Sequence, residues 1–541
     1  MRLRQSHAER FARTVFPPAL VAAIAVVLYQ ALTAAIVRVP REFPLGFMKV
    51  LPLSYWFAVG LSVVLLLLAL ASNVGNYLWV SAVLLIILVP GLGDLTQPNP
   101  RDVFSMIAAE RISQAGWFNP SENVYLNFPG AAVLFSSLVV VTGAPSEIVV
   151  RMFGVIYNVI LFGLGFLFFR RTRMTPTASL LSALLVVFCF YHQGVLIYTS
   201  LMGYLFYVLL AGIVFASESN SSIDFMLLMA FYMAMVVSHA FSPFLTLAAM
   251  TALLVGWRIA EPLLRRLRLG ALLGDPPSMT MWVLVPAVLV VLTYWAYFAF
   301  RPFTWGLLKL ESTQLTSRVA GAGGPILSPT TGFATTYSHL AELYAPMLLV
   351  VFVLYLILWY DGRKLQLLLW IAGLGGAVVI SLAGYVEEFF ARIFSFAVIP
   401  LSYGAGRLFD MNRRLLRVAV VGALLVALVL HLPAHYGQDA FLLVPDSTIQ
   451  GECFFANHSF VNASVDAPVS ELSWHYYIDL YRQWNAEGPG SYYVLNYEAE
   501  SWILYSEGQT SVDSLNEGLN SSHYDKVMSN GGFRIYSENE T

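Results

Sequence analysis

The chain has 541 residues, of which 58% are hydrophobic and only 11% are charged. Soluble domains carry about 25% charged residues, so the composition excludes an ordinary soluble enzyme and indicates a polytopic membrane protein. The formal net charge of −2 offers no basic surplus for nucleic acid, and the sequence contains no nucleotide-phosphate loop, paired-histidine metal motif or cysteine cluster.

Hydropathy predicts thirteen membrane-spanning helices in an all-α membrane domain. The first apolar run is long enough to cross about 30 Å of hydrocarbon as a helix. It follows a charged start and lacks a small-residue cleavage site, so we expect a retained span and not a removed signal peptide. The predicted spans are 18–37, 51–72, 77–93, 148–169, 176–192, 197–217, 223–239, 241–256, 281–300, 344–361, 365–384, 391–409 and 415–433.

Short basic loops predict the side of each loop, because they stay in the cytoplasm. The basic segments are MRLRQSHAERFAR, RRTR (170–173), WRIAEPLLRRLRLG (257–270), DGRK (361–364) and DMNRRLLR (410–417). All five segments lie on the cytoplasmic side if segment 130–142 does not cross the membrane. This segment is short for a membrane-spanning helix, so we predict an interfacial or re-entrant helix. The N-terminus is then cytoplasmic, loops 94–147 and 301–343 and the C-terminus are external, and a multi-pass plasma-membrane protein is predicted. The basic loop at 38–49 lies outside against this rule.

The first external loop, residues 94–147, interrupts the apolar pattern with charged and helix-capping residues. Residues 102–115 have apolar side chains at helical spacing, and Gly116 suits a helix end. We predict a helix on the membrane surface, then NPSENVYLNFPG, then the re-entrant segment. Loop 301–343 is long and contains GAGGP and Ser/Thr clusters, as substrate-gating loops often do.

A change of charge near residue 433 predicts a domain boundary. Residues 1–433 carry 27 Lys/Arg and 17 Asp/Glu (+10), and residues 434–541 carry 3 and 15 (−12), which together give −2. SYYVLNY (491–497) and FRIYS (533–537) indicate strands, so a small acidic α/β or β domain outside the membrane is predicted. High-salt adaptation and an ordinary acidic domain both explain the charge. A glycosylated external face is suggested by N-x-Ser/Thr sites at Asn457, Asn462, Asn520 and Asn539.

Several short motifs follow one another in and after the first external loop. In order they are P-N-P-R-D, I-A-A-E-R-I, A-G-W, Y-L-N-F-P-G, and V-T-G followed by V-R-M-F. This order resembles the first external loop of the GT-C superfamily of membrane glycosyltransferases, which includes protein O-mannosyltransferases and the lipid A aminoarabinose transferase. The halophilic archaeal surface glycosyltransferases, which use dolichyl-phosphate sugars, look most similar because the acidic external tail also fits.

The resemblance implies a specific reaction. Such enzymes move a sugar from a polyprenyl phosphate to an acceptor hydroxyl of a glycan or glycoprotein on the outer membrane face, inverting the anomeric carbon. A carboxylate must accept the hydroxyl proton, and the resemblance assigns this base to Asp102, with Asp94 as the alternative. Asp102 could instead serve only to cap a helix start. Relatives often carry a second acid where this chain has Val103, so we predict a site without cofactor or metal, a divalent metal being the less favoured alternative.

A basic residue on the outer side must stabilise the charge of the departing phosphate. Arg392, in EEFFARIFSFAVIPLS, resembles the Arg at the outer end of a late GT-C span. A guanidinium has the planar donor fork that suits phosphate. Glu388 lies four residues earlier, so the two side chains could also simply pair on one helix face. The other candidates are Arg301, Lys309 and Arg318.

His239, in SHAFSPF, lies between two predicted spans on the outer side, where Pro243 would force a sharp hairpin. It is either a structural histidine or a contact to the donor phosphate or the acceptor. His192 and Tyr198 lie in the next outer loop, and together with Glu388 they are further possible substrate contacts.

A lipid-linked glycan flippase or another transporter is the alternative function. It predicts inverted repeats and charges near the middle of the membrane, whereas the ionisable residues here gather at the predicted outer rim. The Trp-Trp-Asp-Tyr-Gly signature of oligosaccharyltransferases is missing, which argues against transfer of a whole glycan to Asn.

Overall fold

A computed structural model of the chain describes most of its helical part and four short strands near the C-terminus. Besides a few isolated residues, the described ranges are 51–72, 75–91, 100–116, 124–190, 198–216, 222–268, 281–300, 343–358, 363–381, 386–411, 413–436, 465–466, 492–496, 524–529 and 533–538. Within these ranges the chain forms fourteen α-helices.

The helices are numbered here in chain order. They are α1 (Leu53–Ser72), α2 (Gly75–Leu88), α3 (Pro100–Ala115), α4 (Gly130–Thr142), α5 (Ser146–Arg171), α6 (Pro176–Cys189), α7 (Tyr198–Ala216), α8 (Ser222–Ser238), α9 (Ser242–Arg266), α10 (Leu284–Tyr297), α11 (Tyr344–Leu358), α12 (Lys364–Ser381), α13 (Val386–Asp410) and α14 (Arg414–Tyr436). Short 3-10 turns at Val124–Asn127 and Met281–Val283 precede α4 and α10.

A helix lies at every predicted span from residue 51 onwards. The largest difference is in α9, which continues from the predicted end at residue 256 to Arg266. These extra turns are rich in arginine, and a helix does not need apolar residues to continue once it leaves hydrocarbon. The first predicted span, 18–37, lies outside the described residues.

Four helices in the described ranges are long and apolar enough to cross a membrane. Their apolar segments are Leu53–Ala71, Ile148–Arg171, Ser242–Arg266 and Arg414–His431. The described chain therefore carries helices suited to a membrane protein, and thirteen crossings remain a prediction.

The first external loop contains the two helices expected in it. α3 begins at Pro100, where a proline costs no hydrogen bond because the first helical N–H has no partner. It ends before Gly116, whose φ is 71°. α4 is 13 residues long and ends before Gly143, whose φ is 66°. At about 1.5 Å per residue α4 measures about 20 Å, which is less than the roughly 30 Å of a hydrocarbon layer.

α3 packs against α4 and α5 through small side chains. Ser105, Ala108 and Ala109 are buried on this side, and small residues let two helices approach closely. Glu110 is exposed, and its Oε1 accepts a hydrogen bond from Gln114 Nε2 at 3.2 Å. The carboxylate of Glu110 is therefore accessible to solvent and lies on the side of α3 that faces away from α4.

Contacts between helix ends agree with the predicted loop sides. Arg407 Nη2 donates to the carbonyl oxygen of Thr172 at 2.8 Å, and Thr172 belongs to the RRTR segment. Arg363, in the DGRK segment, lies near the end of α7 and donates through Nη1 to the carbonyl oxygen of Phe215 at 2.6 Å. These loops are all assigned to the cytoplasm by their charge, and that assignment itself remains a prediction.

The opposite helix ends also make contacts with one another. Tyr55 Oη, near the start of α1, donates to the carbonyl oxygen of Leu88 at the end of α2, at 3.0 Å. His431 Nδ1, in α14, lies 2.9 Å from the carbonyl oxygen of Phe188 in α6. The loop charges predict that these ends are external.

Four strands near the C-terminus form one sheet with the order β1-β2-β4-β3. The strands are β1 (Val465–Asp466), β2 (Tyr492–Asn496), β3 (Tyr524–Ser529) and β4 (Phe533–Glu538). β2 and β4 are antiparallel with Val494 opposite Ile535, and β1 is parallel to β2. Strands are thus present at SYYVLNY and FRIYS, whereas the bounds 434–541 and the external location remain predictions.

Candidate functional site

The hairpin between α8 and α9 holds a buried histidine. α8 ends at Ser238, α9 begins at Ser242, and Pro243 lies in the first turn of α9. Between the two helices, His239 is only 8% exposed. A sharp hairpin was predicted at this place because a proline is tolerated at a helix start and not in its middle.

Both ring nitrogens of His239 are engaged by serines. Nδ1 lies 3.1 Å from the backbone nitrogen and 2.7 Å from Oγ of Ser242, and Nε2 lies 2.9 Å from Oγ of Ser200. A backbone N–H can only donate, so Nδ1 is an acceptor. This network assigns the proton of the neutral ring to Nε2, which donates to Ser200.

Two glycines let neighbouring helices approach the hairpin. A Cβ atom on Gly203, in α7, would lie 2.6 Å from Ser242 Oγ and 2.8 Å from His239 Cβ. A Cβ atom on Gly130, at the start of α4, would lie 2.3 Å from Ser238 Oγ. Any larger side chain at either position would displace the hairpin, so the starts of α4 and α7 are both held against it.

The Y-L-N-F-P-G segment (125–130) is held between this hairpin and α10. Tyr294 Oη donates to the carbonyl oxygen of Asn127 at 2.7 Å. The ring of Phe128 is buried, and its centroid lies 6.0 Å from that of Tyr294 and 5.8 Å from that of Trp295. One of the motifs that carry the resemblance is therefore packed at the same end of the bundle as His239.

Asp102 is the third residue of α3 and lies in its first turn. A carboxylate in a first turn is favoured by the helix dipole, so the position suits a structural role as well as a catalytic one. α3 joins the rest of the site through α4, where Ala132 packs with Ala108 and Leu126. The side chain of Asp102 lies outside the described part of the chain.

Arg392 and Glu388 lie in the first two turns of α13, which begins at Val386. α13 packs on α7, where Tyr204 Oη donates to the carbonyl oxygen of Ser395 at 2.9 Å. Ser395 follows Arg392 by three residues, and Tyr204 follows Ser200 by four. The α13 segment that carries Arg392 is thus one turn away from a direct contact with the helix that carries Ser200.

The remaining predicted residues have different outcomes. Tyr198 is the first residue of α7 and does not lie in a loop, because the apolar run behind it already forms the helix. The side chains of Tyr198, Arg392 and Glu388 are not among those described. Outside the described residues lie Asp94, His192, Arg301, Lys309 and Arg318.

Among the described residues no group of three or more His, Cys, Asp or Glu could hold a metal ion. Cys189 is a buried thiol without a disulfide bond. The metal-independent site remains a prediction.

Sequence reasoning missed three polar residues of this region, namely Ser200, Ser242 and Tyr294. Ser242 had a local signal, because it lies three residues after His239 at a helix start. Ser200 and Tyr294 had none, since their partners are 39 and 167 residues away along the chain.

No protein-family model and no curated protein matches the chain. The solved structures that are similar to it include the following two, both at low identity. The archaeal oligosaccharyltransferase AglB from Archaeoglobus fulgidus, in complex with an inhibitory peptide and a dolichol-phosphate, has a TM-score of 0.45 and 12% identity over 86% of this chain and 74% of that one. The arabinofuranosyltransferase AftD from Mycobacteria has a TM-score of 0.48 and 14% identity over 87% of this chain and 40% of that one.

This chain therefore matches only about two fifths of the AftD chain. Both TM-scores lie below 0.5, so neither likeness assigns a family or an activity to this chain. The proposal below depends on the residues of the chain itself.

Proposed function

We propose that the protein is an inverting glycosyltransferase of the GT-C type. It moves a sugar from a polyprenyl (dolichyl) phosphate to a hydroxyl of a glycan, lipid-linked glycan or protein on the outer face of a plasma membrane. One observation supports this most strongly: a chain of direct contacts joins the segments that carry the proposed acid, the histidine and the proposed cation.

The contacts run through four junctions between helices. α3, which carries Asp102, packs on α4, and α4 begins against the α8–α9 hairpin at Ser238. The hairpin is hydrogen-bonded to α7 through His239 and Ser200. α7 is hydrogen-bonded in turn to α13, because Tyr204 donates to the carbonyl oxygen of Ser395. Ser395 lies one turn after Arg392 in α13. We therefore propose that an acid on the first of these segments and a guanidinium on the last serve one site.

The proposed step transfers the sugar in a single displacement. The acceptor oxygen forms a new bond to the anomeric carbon, and the bond from that carbon to the phosphate oxygen breaks with inversion. The hydroxyl proton passes to the carboxylate of Asp102. The electron pair of the broken bond stays on the polyprenyl phosphate, whose added negative charge is stabilised by the Arg392 guanidinium.

A lipid-linked donor also fits the composition of the chain. The sequence lacks a nucleotide-phosphate loop, and a polyprenyl tail would be dissolved in the same bilayer as the apolar helices. We assign no cofactor, and we propose that the acidic C-terminal part faces the exterior.

The decisive experiment compares the purified protein with its Asp102→Asn variant on a radiolabelled polyprenyl-phosphate sugar. We expect polyprenyl phosphate to form with the wild-type protein and its rate to fall by roughly 100-fold or more in the variant, as for loss of a general base. Glu110→Gln is the matched control, because Glu110 is an exposed acid two turns further along the same helix. Equal rates in all three proteins would contradict the assignment to Asp102 and direct attention to Asp94.

A second pair of variants tests the cation. Arg392→Gln should raise the KM for donor and lower kcat, whereas Arg266→Gln, an exposed cation at the end of α9, should change neither. Arg392→Lys should recover only part of the activity, because an ammonium lacks the forked donors of a guanidinium.

The same donor in sealed liposomes separates the enzyme from a flippase. A flippase would move intact polyprenyl-phosphate sugar across the bilayer without breaking its glycosidic bond. Movement of intact donor with no polyprenyl phosphate formed would overturn the proposed function.

A further inference from the structure

The hydrogen bond between His239 and Ser200 indicates what Ser200 contributes to the site. We infer that Ser200 donates its hydroxyl hydrogen to a phosphate oxygen of the lipid-linked donor, beside Arg392, and that His239 positions this hydroxyl. The inference rests on the proposed function, since it assigns a residue to its donor phosphate.

The tautomer of His239 determines the direction of the hydrogen bond. Nδ1 is occupied by the backbone N–H of Ser242 at 3.1 Å, so the ring proton is on Nε2 and points to Ser200 Oγ at 2.9 Å. Ser200 therefore accepts from the histidine and keeps its own hydrogen for another partner. Among the described residues, Ser200 Oγ has no hydrogen-bond partner besides His239.

This direction excludes a serine nucleophile activated by histidine. Such a pair needs a ring nitrogen with a lone pair facing the hydroxyl, so that it can take the serine proton. Nε2 faces Ser200 with its hydrogen instead. A hydroxyl that already accepts a hydrogen bond is polarised and becomes a better donor, which favours an anionic partner.

α7 and α13 contact each other about one turn beyond Ser200 and position 392. Tyr204 and Tyr207 donate to the carbonyl oxygens of Ser395 and Phe396, at 2.9 and 2.7 Å, so residue numbers increase in the same direction along both helices. Ser200 lies four residues before Tyr204, and position 392 lies three residues before Ser395. These steps correspond to about 6 and about 4.5 Å along the axis, and both lead toward the same end.

Helix periodicity relates both positions to the contact between α7 and α13. Ser200 and Tyr204 are i and i+4 and share a face of α7, and position 392 shares the face of α13 that carries Ser395 and Phe396. Ser200 is partly exposed, although His239 beside it is buried. A phosphate between the two helices would thus meet a guanidinium from α13 and a hydroxyl from α7.

Two histidine variants separate positioning from packing. His239→Gln places an amide N–H close to the position of Nε2 and can still donate to Ser200. His239→Asn places its amide oxygen close to the position of Nδ1, so it keeps the Ser242 N–H bond and loses the donation to Ser200. We expect His239→Asn to behave like Ser200→Ala and His239→Gln to keep more activity, although both remove the same ring.

The readout is binding of polyprenyl phosphate to the full-length protein, together with kcat and KM for the donor sugar. Ser200→Ala should weaken polyprenyl-phosphate binding by roughly 10-fold to 100-fold, the range for a hydrogen bond to a charged group. Ser200→Thr retains a hydroxyl and should restore most of that loss. Ser200→Ala combined with His239→Asn should bind no worse than Ser200→Ala alone, because the histidine acts through the serine.

The binding arm keeps this inference separate from the proposed reaction. Weaker binding in Ser200→Ala, with no effect of Asp102→Asn on turnover, would leave the serine site standing and remove the proposed base. Unchanged polyprenyl-phosphate binding in Ser200→Ala would overturn the serine site. It would also be overturned if His239→Gln and His239→Asn lost equal activity in proportion to their loss of thermal stability. If inorganic phosphate competed at a concentration similar to that of polyprenyl phosphate, the site would recognise a free anion and not a lipid phosphate. If the wild-type protein did not bind polyprenyl phosphate at all, both the serine site and the proposed function would be overturned.

Discussion

Tyr207 donates its hydroxyl hydrogen to the carbonyl oxygen of Phe396 at 2.7 Å, and Phe396 lies four residues before Pro400. In a regular helix the N–H of residue 400 would bond to that carbonyl, but proline has no N–H and its ring pushes the carbonyl aside. The phenol of Tyr207 in α7 therefore satisfies the acceptor that Pro400 leaves in the middle of α13.

A double-mutant cycle should detect this relationship. Tyr207→Phe should cost about 1–3 kcal/mol of unfolding free energy in the wild-type background, because it leaves a buried carbonyl unsatisfied. In a Pro400→Ala background the restored N–H can reach Phe396, so the same change should cost less. Tyr207 also accepts from Trp370 Nε1 at 2.9 Å, but that loss is common to both backgrounds and cancels.

Tyr204→Phe is the control for the cycle, measured by reversible unfolding in mixed micelles. Its acceptor is Ser395, whose normal helical partner is the N–H of Ile399. Its cost should therefore not depend on residue 400. If Pro400→Ala reduced the stability cost of Tyr204→Phe as much as that of Tyr207→Phe, Tyr207 would not be the group that compensates for Pro400.

Gly130→Ala should damage the junction between α4 and the His239 hairpin. The new methyl group would lie 2.3 Å from Ser238 Oγ and 3.0 Å from its Cα. The backbone cannot move aside freely, so we expect a loss of about 1–3 kcal/mol, as for overpacking, together with lower transferase activity. Thermal unfolding and the sugar-transfer assay measure the two effects.

Gly163→Ala in α5 is the matched control. No atom lies within 4 Å of a Cβ at this position, and alanine is favoured over glycine inside a helix by about 1 kcal/mol. This variant should be neutral or slightly more stable. Adding Ser238→Ala to Gly130→Ala should recover part of the stability, because it removes the nearest oxygen.

Arg407 should be essential to the opposite end of the bundle. Its guanidinium donates to the carbonyl oxygen of Thr172 at 2.8 Å and to Tyr403 Oη at 2.9 Å. Arg407→Gln should cost about 1.5–3 kcal/mol, the range for hydrogen bonds to charged groups, with little change in the KM for donor. Arg413→Gln, at an exposed position nearby, should leave thermal stability unchanged.

Cysteine labelling of intact cells can test the predicted sides. Gln114, exposed on α3, and Arg266, exposed at the end of α9, belong to loops with opposite predicted sides. In a Cys453→Ser background, Gln114→Cys should react with a membrane-impermeant maleimide from outside, and Arg266→Cys only after permeabilisation. Cys189 is buried and should stay unlabelled. Reaction of Arg266→Cys in intact cells would reverse the topology.

The helices could be predicted from sequence because each is an apolar run with its own local stop signals. Gly116 and Gly143, for example, end α3 and α4 at positive φ, a conformation that glycine adopts without strain. The apolar spacing predicts the start of α3 at residue 102, two residues late, because Pro100 and Arg101 contribute no apolar side chain to the pattern. Tyr198 falls both in the predicted span 197–217 and in the predicted outer loop, and the structure agrees with the span, since α7 begins at this residue.

The arrangement around His239 could not be predicted. Hydropathy places residues in helices but does not say which helices are neighbours. Ser200 pairs with a histidine 39 residues away, and the close contacts of Gly130 and Gly203 depend on that same neighbourhood. A glycine in an apolar run looks the same whether it faces lipid or another backbone.

The short length of α4 has a consequence for the surrounding bilayer. Its last turn ends with Val140 and Val141 exposed by 65% and 82%, which suits contact with acyl chains. The length of α4, about 20 Å, is only about two thirds of the thickness of a 30 Å hydrocarbon layer. Lipid must therefore occupy the rest of that thickness beside it. Thicker or stiffer membranes must deform more to do so, which makes the lipid composition of the host membrane part of the environment that shapes this end of the protein.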